Sequence, residues 1–531
     1  MITKKDQKAL QNNIAILMLI FSVVAIFLVG RLLLLQVFDR NSLDTQNLSQ
    51  VESERKLQSP RGTIYDRNGN PLAISIVTRS LYADPKMIKK SPEEIASLIV
   101  PYTRIKEDVI VKRLKEDTAF IWLDRMMDPD KSKAVEKVMK DNDIEGLNFV
   151  EESRRFYPNG NLLAQVLGFV GTDDKGLDGL EMKMDETLRG GITEELIATD
   201  RHGNAIFGSV LSKFLPEKEK SITLTIDTTV QFIAERALDK AMSETKAAGA
   251  SIIVMDPKTG EILAMANRPT YDPNHYEKGN DNSFKNRAVT DMYEPGSTFK
   301  PLTASAALAS GKWSVDTVYN DTGSIVVGDH TIQNWNGEGY GPVKLLEILK
   351  YSINTGMAKL GITTGKDIME QYLQAYGCGK ATGIELPGEA EGQVIAAKDM
   401  SQLDLATIAF GHSVAVTPLQ MVQAFSAIAN DGKMMKPHII KSINNPDGTE
   451  EPLLKICPRV NRFRKTWLKR FWACWKKKCP KAAVIKRRLT DITLQVKPVR
   501  LKNLMRNMAV IWKVVILRHL SASDRWKIRV L

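Results

Sequence analysis

Cysteine is scarce in this sequence. There are four in 531 residues, and three of them (Cys457, Cys474 and Cys479) lie near the end. So few cysteines cannot form a disulfide scaffold in a chain of this length, and the fold must therefore depend on a buried apolar core. The apolar fraction of 43% and the 34 glycines are typical of a globular protein. The length predicts two or three domains.

Acidic residues are almost absent from the last part of the chain. Residues 453–531 contain 23 basic and two acidic residues, a net charge of +21, whereas residues 1–452 contain 51 basic and 60 acidic residues, a net charge of −9. The overall charge of +12 is therefore a property of this tail alone. For the rest of the chain the charge excludes a basic surface suited to nucleic acid, and we predict no nucleic-acid partner.

One long apolar run lies near the N-terminus. Residues 14–35 contain a single charged residue, Arg31, and three lysines precede the run within residues 4–8. A helix of this length spans roughly 33 Å, which is enough to cross a bilayer once. Because lysines precede the run and no small-residue cleavage site follows it, we expect an uncleaved transmembrane anchor over residues 14–38, with residues 1–13 in the cytoplasm. The alternative is a buried core helix.

The chain after the anchor falls into two regions. Residues 39–220 mix short β-like runs, turns and helical stretches such as 92–100, without metal spacing, phosphate loop or paired acids, and we interpret them as a structural or docking module. Residues 221–452 open with a helical pattern over 231–246, followed by two apolar strand patterns separated by a turn within 250–266. A hairpin packed on helices predicts an α+β catalytic domain.

The strongest chemical signal lies around Ser297. Pro-Gly precedes this serine, and the apolar run Leu302–Leu308 predicts a helix, so Ser297 should lie at a helix N-terminus. Lys300 follows one turn later on the same face. A serine hydroxyl needs a base to become a nucleophile, and a lysine can act as that base only when burial depresses its pKa. We therefore predict Ser297 as nucleophile and Lys300 as its base.

A second polar element follows 55 residues later. Ser352 and Asn354 come directly after the amphipathic stretch 345–350. A hydroxyl at this point can pass a proton to a leaving amine, and a carboxamide can hold a peptide group of the substrate. The alternative is that these residues are a helix N-cap.

The same spacings recur elsewhere without this context. Ser53 to Lys56 and Ser243 to Lys246 lie among charged residues, and we interpret both as solvated helix faces. Ser442-Ile443-Asn444 precedes an Asn-Pro-Asp-Gly sequence, which predicts a hairpin turn.

The order of these motifs resembles that of the class B penicillin-binding proteins, the membrane-anchored D,D-transpeptidases that cross-link peptidoglycan. The resemblance covers most of residues 1–452. It depends on motifs in the anchor, in the pedestal domain that follows it and in the transpeptidase region, namely Arg31–Val37, Arg61–Arg67, Gly176–Glu181, Asn286–Val289, Leu386–Glu389, Gly411-His412, Val416–Gln420 and Ala429–Gly432.

The resemblance implies an architecture and a reaction. It implies a transmembrane helix, a mixed α/β pedestal of the dimerisation type over residues 39–220, and a transpeptidase domain over residues 221–452 whose antiparallel sheet has helices on both faces. It also implies that a D-alanyl-D-alanine stem peptide or a β-lactam acylates Ser297. Lys300 would be the base, and Ser352 and Asn354 would complete the polar cleft.

The resemblance also carries implications about partners and location. It implies no metal or organic cofactor. The implied partners are peptidoglycan stem peptides, β-lactams, the cell membrane and a glycosyltransferase of the division or elongation machinery. The implied location is the bacterial cytoplasmic membrane, crossed once, with the catalytic domain outside. The alternative function is a non-catalytic penicillin-binding scaffold or a β-lactam sensor.

One element of the family is missing from the sequence. The family has a K-T/S-G motif on the edge strand that lines the cleft, but Lys258-Thr259-Gly260 precedes the nucleophile, and the only Lys-Thr after Pro452 is Lys465-Thr466, followed by Trp467. That strand supplies a cation for the substrate carboxylate and an N–H of the oxyanion hole. Loss of one such donor typically costs about 2.7 to 4 kcal/mol of transition-state stabilisation. We therefore expect a truncated transpeptidase domain with impaired activity.

The tail, residues 453–531, has an aberrant composition. It has no glycine, tyrosine or glutamate, yet it contains five of the eight tryptophans. Joining the third base of each codon to the first two bases of the next gives a shifted reading frame. In that frame the codons of residues 496–502 can encode Lys-Thr-Gly-Thr-Ala-Gln, which contains the missing Lys-Thr-Gly motif. We therefore predict that the tail is translated out of frame after a shift near residues 455–465, and that it supplies no edge strand. The alternative is a functional basic arm for anionic lipid or wall polymer.

Overall fold

A computed structural model of the chain describes residues 4–33, 52–190, 192–198, 219–452, 458–459, 510–518 and 527–530. The helices within them are α1 (Lys4–Leu33), α2 (Pro92–Ile99), α3 (Glu107–Leu114), α4 (Pro129–Asp141), α5 (Ala164–Leu167), α6 (Gly179–Lys183), α7 (Asp185–Leu188), α8 (Thr228–Thr245), α9 (Asp281–Phe284), α10 (Arg287–Thr290), α11 (Lys300–Ala309), α12 (Leu345–Tyr351), α13 (Asn354–Thr364), α14 (Lys366–Ala375), α15 (Gln402–Ile408) and α16 (Pro418–Ala429). Short 3-10 helices cover Pro85–Met87, Val100–Tyr102, Pro273–Lys278 and Gly296–Phe299.

The strands in the same part of the chain are β1 (Glu52–Gln58), β2 (Ile64–Tyr65), β3 (Pro71–Ala83), β4 (Ile121–Met127), β5 (Leu147–Phe156), β6 (Ile192–Ala198), β7 (Ser221–Leu224), β8 (Gly249–Met255), β9 (Ile262–Arg268), β10 (Val318–Asp321), β11 (Ser324–Val327), β12 (His330–Gln333), β13 (Gly341–Lys344), β14 (Gln393–Val394), β15 (Val414–Ala415), β16 (Met434–Met435), β17 (Ile440–Asn444), β18 (Glu450–Pro452), β19 (Pro458–Arg459), β20 (Val510–Arg518) and β21 (Lys527–Val530). The chain divides into two units, residues 1–59 with 190–218 and residues 60–189 with 219–531.

The first unit contains α1 and the antiparallel pair β1–β6. Among the residues that the structure describes, no helix combines the length and the apolar character needed to cross a membrane. Ser53 and Lys56 lie on strand β1, so the interpretation of this spacing as a helix face is wrong. Strand β1 pairs with β6 over its whole length, from Glu52 opposite Ala198 to Gln58 opposite Ile192.

The first part of the second unit is built on the long strand β3. It pairs antiparallel with β5 and with β4, and it joins a sheet of order β18-β17-β7-β2-β3-β4. The helix predicted over 92–100 is confirmed as α2, where the Ser91 side chain accepts from the N–H of Glu94 and Pro92 occupies the first turn. This sheet therefore contains strands from the pedestal residues (β2, β3 and β4) and strands from the catalytic region (β7, β17 and β18).

Two pedestal motifs meet in a buried ion cluster. Arg61 donates through Nε to Glu181 and through Nη1 to Asp185, both at 2.6 Å, and Arg155 Nε donates to the second oxygen of Glu181 at 2.7 Å. Arg61 is 1% exposed and Glu181 is fully buried. A buried carboxylate is tolerated only when it is paired, so each member of this cluster depends on the others.

The catalytic region opens as the sequence predicts. Helix α8 is capped by Asp227, which accepts from the N–H groups of Thr229 and Val230. The hairpin of β8 and β9 follows, and every residue of both strands is buried. Gly260, at φ +89°, closes the turn by donating its N–H to the carbonyl of Asp256.

The sheet that contains this hairpin is mixed and not antiparallel as predicted. Its order is β21-β20-β8-β9, and β20 runs parallel to β8 from Val510 opposite Gly249 to Ile516 opposite Met255. The prediction that the tail supplies no edge strand is therefore wrong, because β20 extends the sheet beyond β8 and β21 lies at its edge. The physical reason is that residues 510–517 are apolar apart from Lys513 and rich in β-branched side chains, and β8 presents backbone groups that such a strand can satisfy.

Candidate active site

The predicted nucleophile lies at the start of a buried helix. Ser297 belongs to the 3-10 turn Gly296–Phe299, which leads directly into α11, and its side chain is exposed. Phe299 and Lys300, by contrast, are 0% and 2% exposed. The packed turn therefore holds the serine at the surface and directs the lysine into the protein.

Lys300 is surrounded by acceptors from the second polar element. Its Nζ donates to the carbonyl oxygen of Ser352 at 2.9 Å, to Ser352 Oγ at 3.0 Å and to Asn354 Oδ1 at 2.8 Å. Burial lowers the pKa of Lys300 to about 7, because the charged form loses its hydration. The requirement that the predicted base must have a depressed pKa is thus met.

Ser352 connects the lysine with the nucleophile. Its Oγ donates to Ser297 Oγ at 3.0 Å while it accepts from Lys300 Nζ. Ser352 ends α12 in the left-handed conformation with φ of 56°, and the N-cap of α13 is Ile353, which offers no side-chain acceptor. Neither Ser352 nor Asn354 is a helix N-cap, so that alternative is wrong, and all four predicted site residues are linked by hydrogen bonds.

Asn354 is the first residue of α13 and faces the lysine with its oxygen. Its Nδ2 donates to the carbonyl of Gln333 at 3.1 Å, and its own N–H donates to Asn334 Oδ1 at 3.0 Å. The segment around β12 therefore orients the carboxamide. A simple motif search does not detect this contribution, because the segment lies outside the S-x-x-K and S-x-N spacings.

A second segment fixes the turn that carries Ser297. The N–H of Gly296 donates to the carbonyl of Gly411 at 2.9 Å, and Glu294 accepts from the N–H of Ser413 at 2.9 Å and lies 2.8 Å from His412 Nδ1. Gly411 has φ of +83°, and a Cβ there would lie 2.2 Å from the carbonyl oxygen of Gly296. The Gly-His pair is visible in the sequence only as a family motif, whereas the structure shows that it packs against the nucleophile turn.

The other occurrences of the two spacings lie elsewhere in the fold. Ser243 is exposed on α8, as predicted. Ser442 and Asn444 lie on β17, which forms a hairpin with β18, also as predicted. Neither set has a partner arrangement like that of Lys300 within the described residues.

An exposed serine linked through a second hydroxyl to a buried lysine is the arrangement of a serine acyl-transfer site. Sequence comparison agrees with this class. Residues 56–224 match the family described as penicillin-binding protein dimerisation domain, and residues 250–466 match the family described as penicillin binding protein transpeptidase domain.

Individual relatives of the chain are also peptidoglycan transpeptidases or penicillin-binding proteins by name. The chain is 33% identical over 460 residues to the probable peptidoglycan D,D-transpeptidase PenA of Neisseria meningitidis, covering 84% of this chain and 77% of that protein. It is 31% identical over 426 residues to the peptidoglycan D,D-transpeptidase FtsI of Escherichia coli, covering 79% and 71%. The crystal structure of penicillin binding protein 2X from Streptococcus thermophilus is similar with a TM-score of 0.63 at 28% identity, covering 80% of this chain and 66% of that one. The chain belongs to the class B penicillin-binding proteins, the family of peptidoglycan D,D-transpeptidases.

Proposed function

We propose that Ser297, Lys300, Ser352 and Asn354 carry out the acyl transfer of this family on peptidoglycan stem peptides. Ser297 Oγ attacks the carbonyl carbon of the D-alanyl-D-alanine bond, an ester forms, and the terminal D-alanine leaves as an amine that takes up a proton. The amine of a neighbouring stem peptide then attacks the ester and releases the serine. The observation that supports this most directly is the hydrogen-bond chain from Lys300 through Ser352 to Ser297.

The protonation state of Lys300 sets the direction of this chain. As an ammonium, Lys300 uses three N–H groups on the Ser352 carbonyl, Ser352 Oγ and Asn354 Oδ1. A neutral amine keeps two N–H groups for the Ser352 carbonyl oxygen and Asn354 Oδ1, two atoms that can only accept. Its lone pair then faces Ser352 Oγ. The proton of Ser297 can therefore pass to Ser352 while the proton of Ser352 passes to Lys300. A pKa of about 7 gives both forms near neutral pH.

We further propose that this chain is impaired because its sequence has no K-T/S-G element after Pro452. The absence of that motif leaves the substrate carboxylate without its cation and the oxyanion without one N–H donor. The codon argument, in which a shifted frame permits Lys-Thr-Gly across residues 496–502, supports translation out of frame as the cause.

The location and the domain boundaries are also proposals. An anchor over residues 14–38 is supported by the apolar run and by the exposed apolar side chains that α1 presents, among them Phe21, Ile26 and Phe27 at 69 to 72% exposure. Such side chains are unfavourable in water and favourable in a bilayer. A pedestal at 39–220 and a transpeptidase domain at 221–452 would then lie outside the cytoplasmic membrane, within reach of a glycosyltransferase partner. Protease added to spheroplasts should digest this body, and its protection would contradict the assignment.

Covalent labelling with a fluorescent penicillin tests the catalytic proposal. We expect weak or no labelling of the 531-residue chain and strong labelling of a chain in which the frame is restored near residue 460. In the restored chain, Ser297→Ala should abolish labelling and Lys300→Met should slow it severely. Ser243→Ala is the matched control, because Ser243 has the same spacing to a lysine but is exposed on α8.

The outcomes separate the alternatives. A label that maps to a serine other than Ser297 would refute the site. Robust labelling and transpeptidation by the unaltered chain would refute the impairment. Rapid release of the label would favour a β-lactam sensor or hydrolase over a transpeptidase, since a transpeptidase retains its β-lactam adduct.

A further inference from the structure

We propose that Asn334, fixed by Asp321, is a positioning residue that holds Asn354 and Ser352 against Lys300. This inference rests on the proposed function, because it assigns a role toward the same nucleophile. It adds three buried polar residues, Asp321, Asn334 and Thr355, which lie outside the motifs that carry the chemistry. We call these three residues the support cluster.

The first observation is how α13 begins. The first N–H groups of a helix have no partner within it, and the N-cap residue Ile353 has no side chain able to accept from them. Asn334 Oδ1 takes this role from a different segment, accepting from the N–H of Asn354 at 3.0 Å and from that of Thr355 at 3.3 Å. The side chain of Asn334 therefore caps the N-terminus of α13, although Asn334 lies 20 residues before Asn354 in the sequence.

The second observation is that the cap is itself locked in one orientation. Asn334 Nδ2 donates to Asp321 Oδ2 at 2.8 Å and to the carbonyl of Glu338 at 2.9 Å. A flipped carboxamide would place its oxygen against the carboxylate and its amino group against two N–H donors, so the orientation is unique. Thr355 completes the cluster with a hydrogen bond from Oγ1 to Asp321 Oδ1 at 2.5 Å.

Burial makes the cluster rigid. Asp321, Asn334 and Thr355 are 2%, 4% and 0% exposed, so water cannot replace a lost hydrogen bond. The bond from the Asn354 N–H to Asn334 Oδ1 fixes the backbone at Asn354, whose side-chain oxygen accepts from Lys300. The other bonds of the cluster hold Asn334 and Thr355 in place. Ser352 lies two residues earlier in a left-handed conformation, which a serine adopts only where its surroundings enforce it. Loss of the cap would therefore loosen both residues that contact the lysine.

A cysteine in place of the nucleophile gives a test on the full 531-residue chain that needs no K-T-G element. In a Ser297→Cys background, the rate at which iodoacetamide alkylates the introduced thiol at pH 7 reports how well Lys300 and Ser352 stabilise the thiolate. Peptide mass spectrometry separates this site from Cys378 and from the tail cysteines. Lys300→Met in the same background should slow alkylation about tenfold, equivalent to one unit of thiol pKa.

Asn334→Leu in this background should slow alkylation of the introduced thiol by a similar factor. Asn336→Leu is the matched control and should leave the alkylation rate unchanged. Asn336 lies in the same loop, but its side chain donates to Glu338 and Tyr340 and not to the start of α13. A second pair guards against misfolding. Thr355→Val removes the hydroxyl that bonds Asp321 and should slow alkylation, whereas Thr355→Ser keeps the hydroxyl and should restore the rate.

The outcomes distinguish this inference from the proposed function. If Lys300→Met leaves the rate unchanged, the activation of position 297 by the lysine fails, and with it the proposed mechanism. If Lys300→Met slows the reaction but Asn334→Leu and Thr355→Val do not, the positioning role is overturned while the mechanism stands. A lower unfolding temperature for Thr355→Val at an unchanged rate shows a purely structural cluster and also overturns the inference.

Discussion

Replacement of Lys300 by methionine should change how the stability of the protein depends on pH. Burial lowers the pKa of Lys300 from its ordinary value of 10.5 to about 7. Between these two values the unfolded chain binds a proton that the folded chain does not, so the free energy of unfolding rises with pH across this window. At 1.36 kcal/mol per unit, the folded protein carries a penalty of about 5 kcal/mol below pH 7, and the penalty disappears toward pH 10.5.

The variant has no such titration, so the comparison isolates the lysine. From pH 6 to pH 9 the wild-type chain should gain about 3 kcal/mol relative to Lys300→Met. This corresponds to roughly 3 °C in the unfolding temperature when the whole chain unfolds as one unit, and to roughly 6 °C when residues 221–452 unfold alone. The bonds that methionine cannot make to Ser352 and Asn354 add an offset that is the same at both pH values. Calorimetry at the two pH values measures the difference, with Lys359→Met, an exposed lysine on α13, as the matched control. Parallel curves for wild type and Lys300→Met would refute a depressed lysine and the base assigned to it.

Two further predictions concern residues outside the four of the site. Gly411→Ala brings a Cβ to 2.2 Å from the carbonyl of Gly296, so it should displace the nucleophile turn and abolish penicillin labelling of a frame-restored chain. Gly365 has a similar positive φ but open space around it, so Gly365→Ala is the control and should retain labelling. An equal loss of labelling in the two variants would indicate backbone strain alone as the cause. Arg61→Met removes one of the two guanidinium groups that pair with Glu181 in the buried cluster. It should lower the free energy of unfolding by about 3 to 5 kcal/mol, measured by denaturant titration. A decrease below about 1 kcal/mol would contradict the importance of this ion pair.

The local part of the site could be predicted from the sequence. Pro-Gly before Ser297 and the apolar run after Lys300 determine a turn followed by a buried helix, because these effects act within a few residues. The spacing of three then places both side chains on one face. The hairpin of β8 and β9 follows from equally local signals, two apolar strand patterns around a Pro-Lys-Thr-Gly turn.

The long-range part could not be predicted from patterns of this kind. The S-x-N spacing does not show that Ser352 adopts a left-handed conformation, because that depends on how α12 ends and α13 begins. Asn334 stands among Gln, Trp, Asn and Gly, which are typical of an ordinary polar loop, and its capping role exists only because β12 delivers it to the start of another helix. The error at β20 has the same origin, since pairing between strands distant in sequence depends on which edge is open.

The four site residues and the residues that hold them come from residues 294–413. Lys300, Ser352 and Asn354 obtain their hydrogen bonds from one another, from the segment around β12 and from the support cluster, and the turn of Ser297 is held by Gly411. Within the described part of the chain, all of these partners lie in residues 294–413. The K-T-G element, by contrast, would act on the substrate, through its carboxylate and its oxyanion. We therefore expect activation of the serine and recognition of the substrate to be separable in this protein. A defect confined to the tail should then remove acylation by stem peptides and β-lactams while the nucleophile remains activated. Alkylation of the Ser297→Cys variant measures activation of the nucleophile, and penicillin labelling of the chain with Ser297 measures recognition of the substrate. Rapid alkylation of the 531-residue variant together with absent labelling of the 531-residue wild-type chain is the expected result.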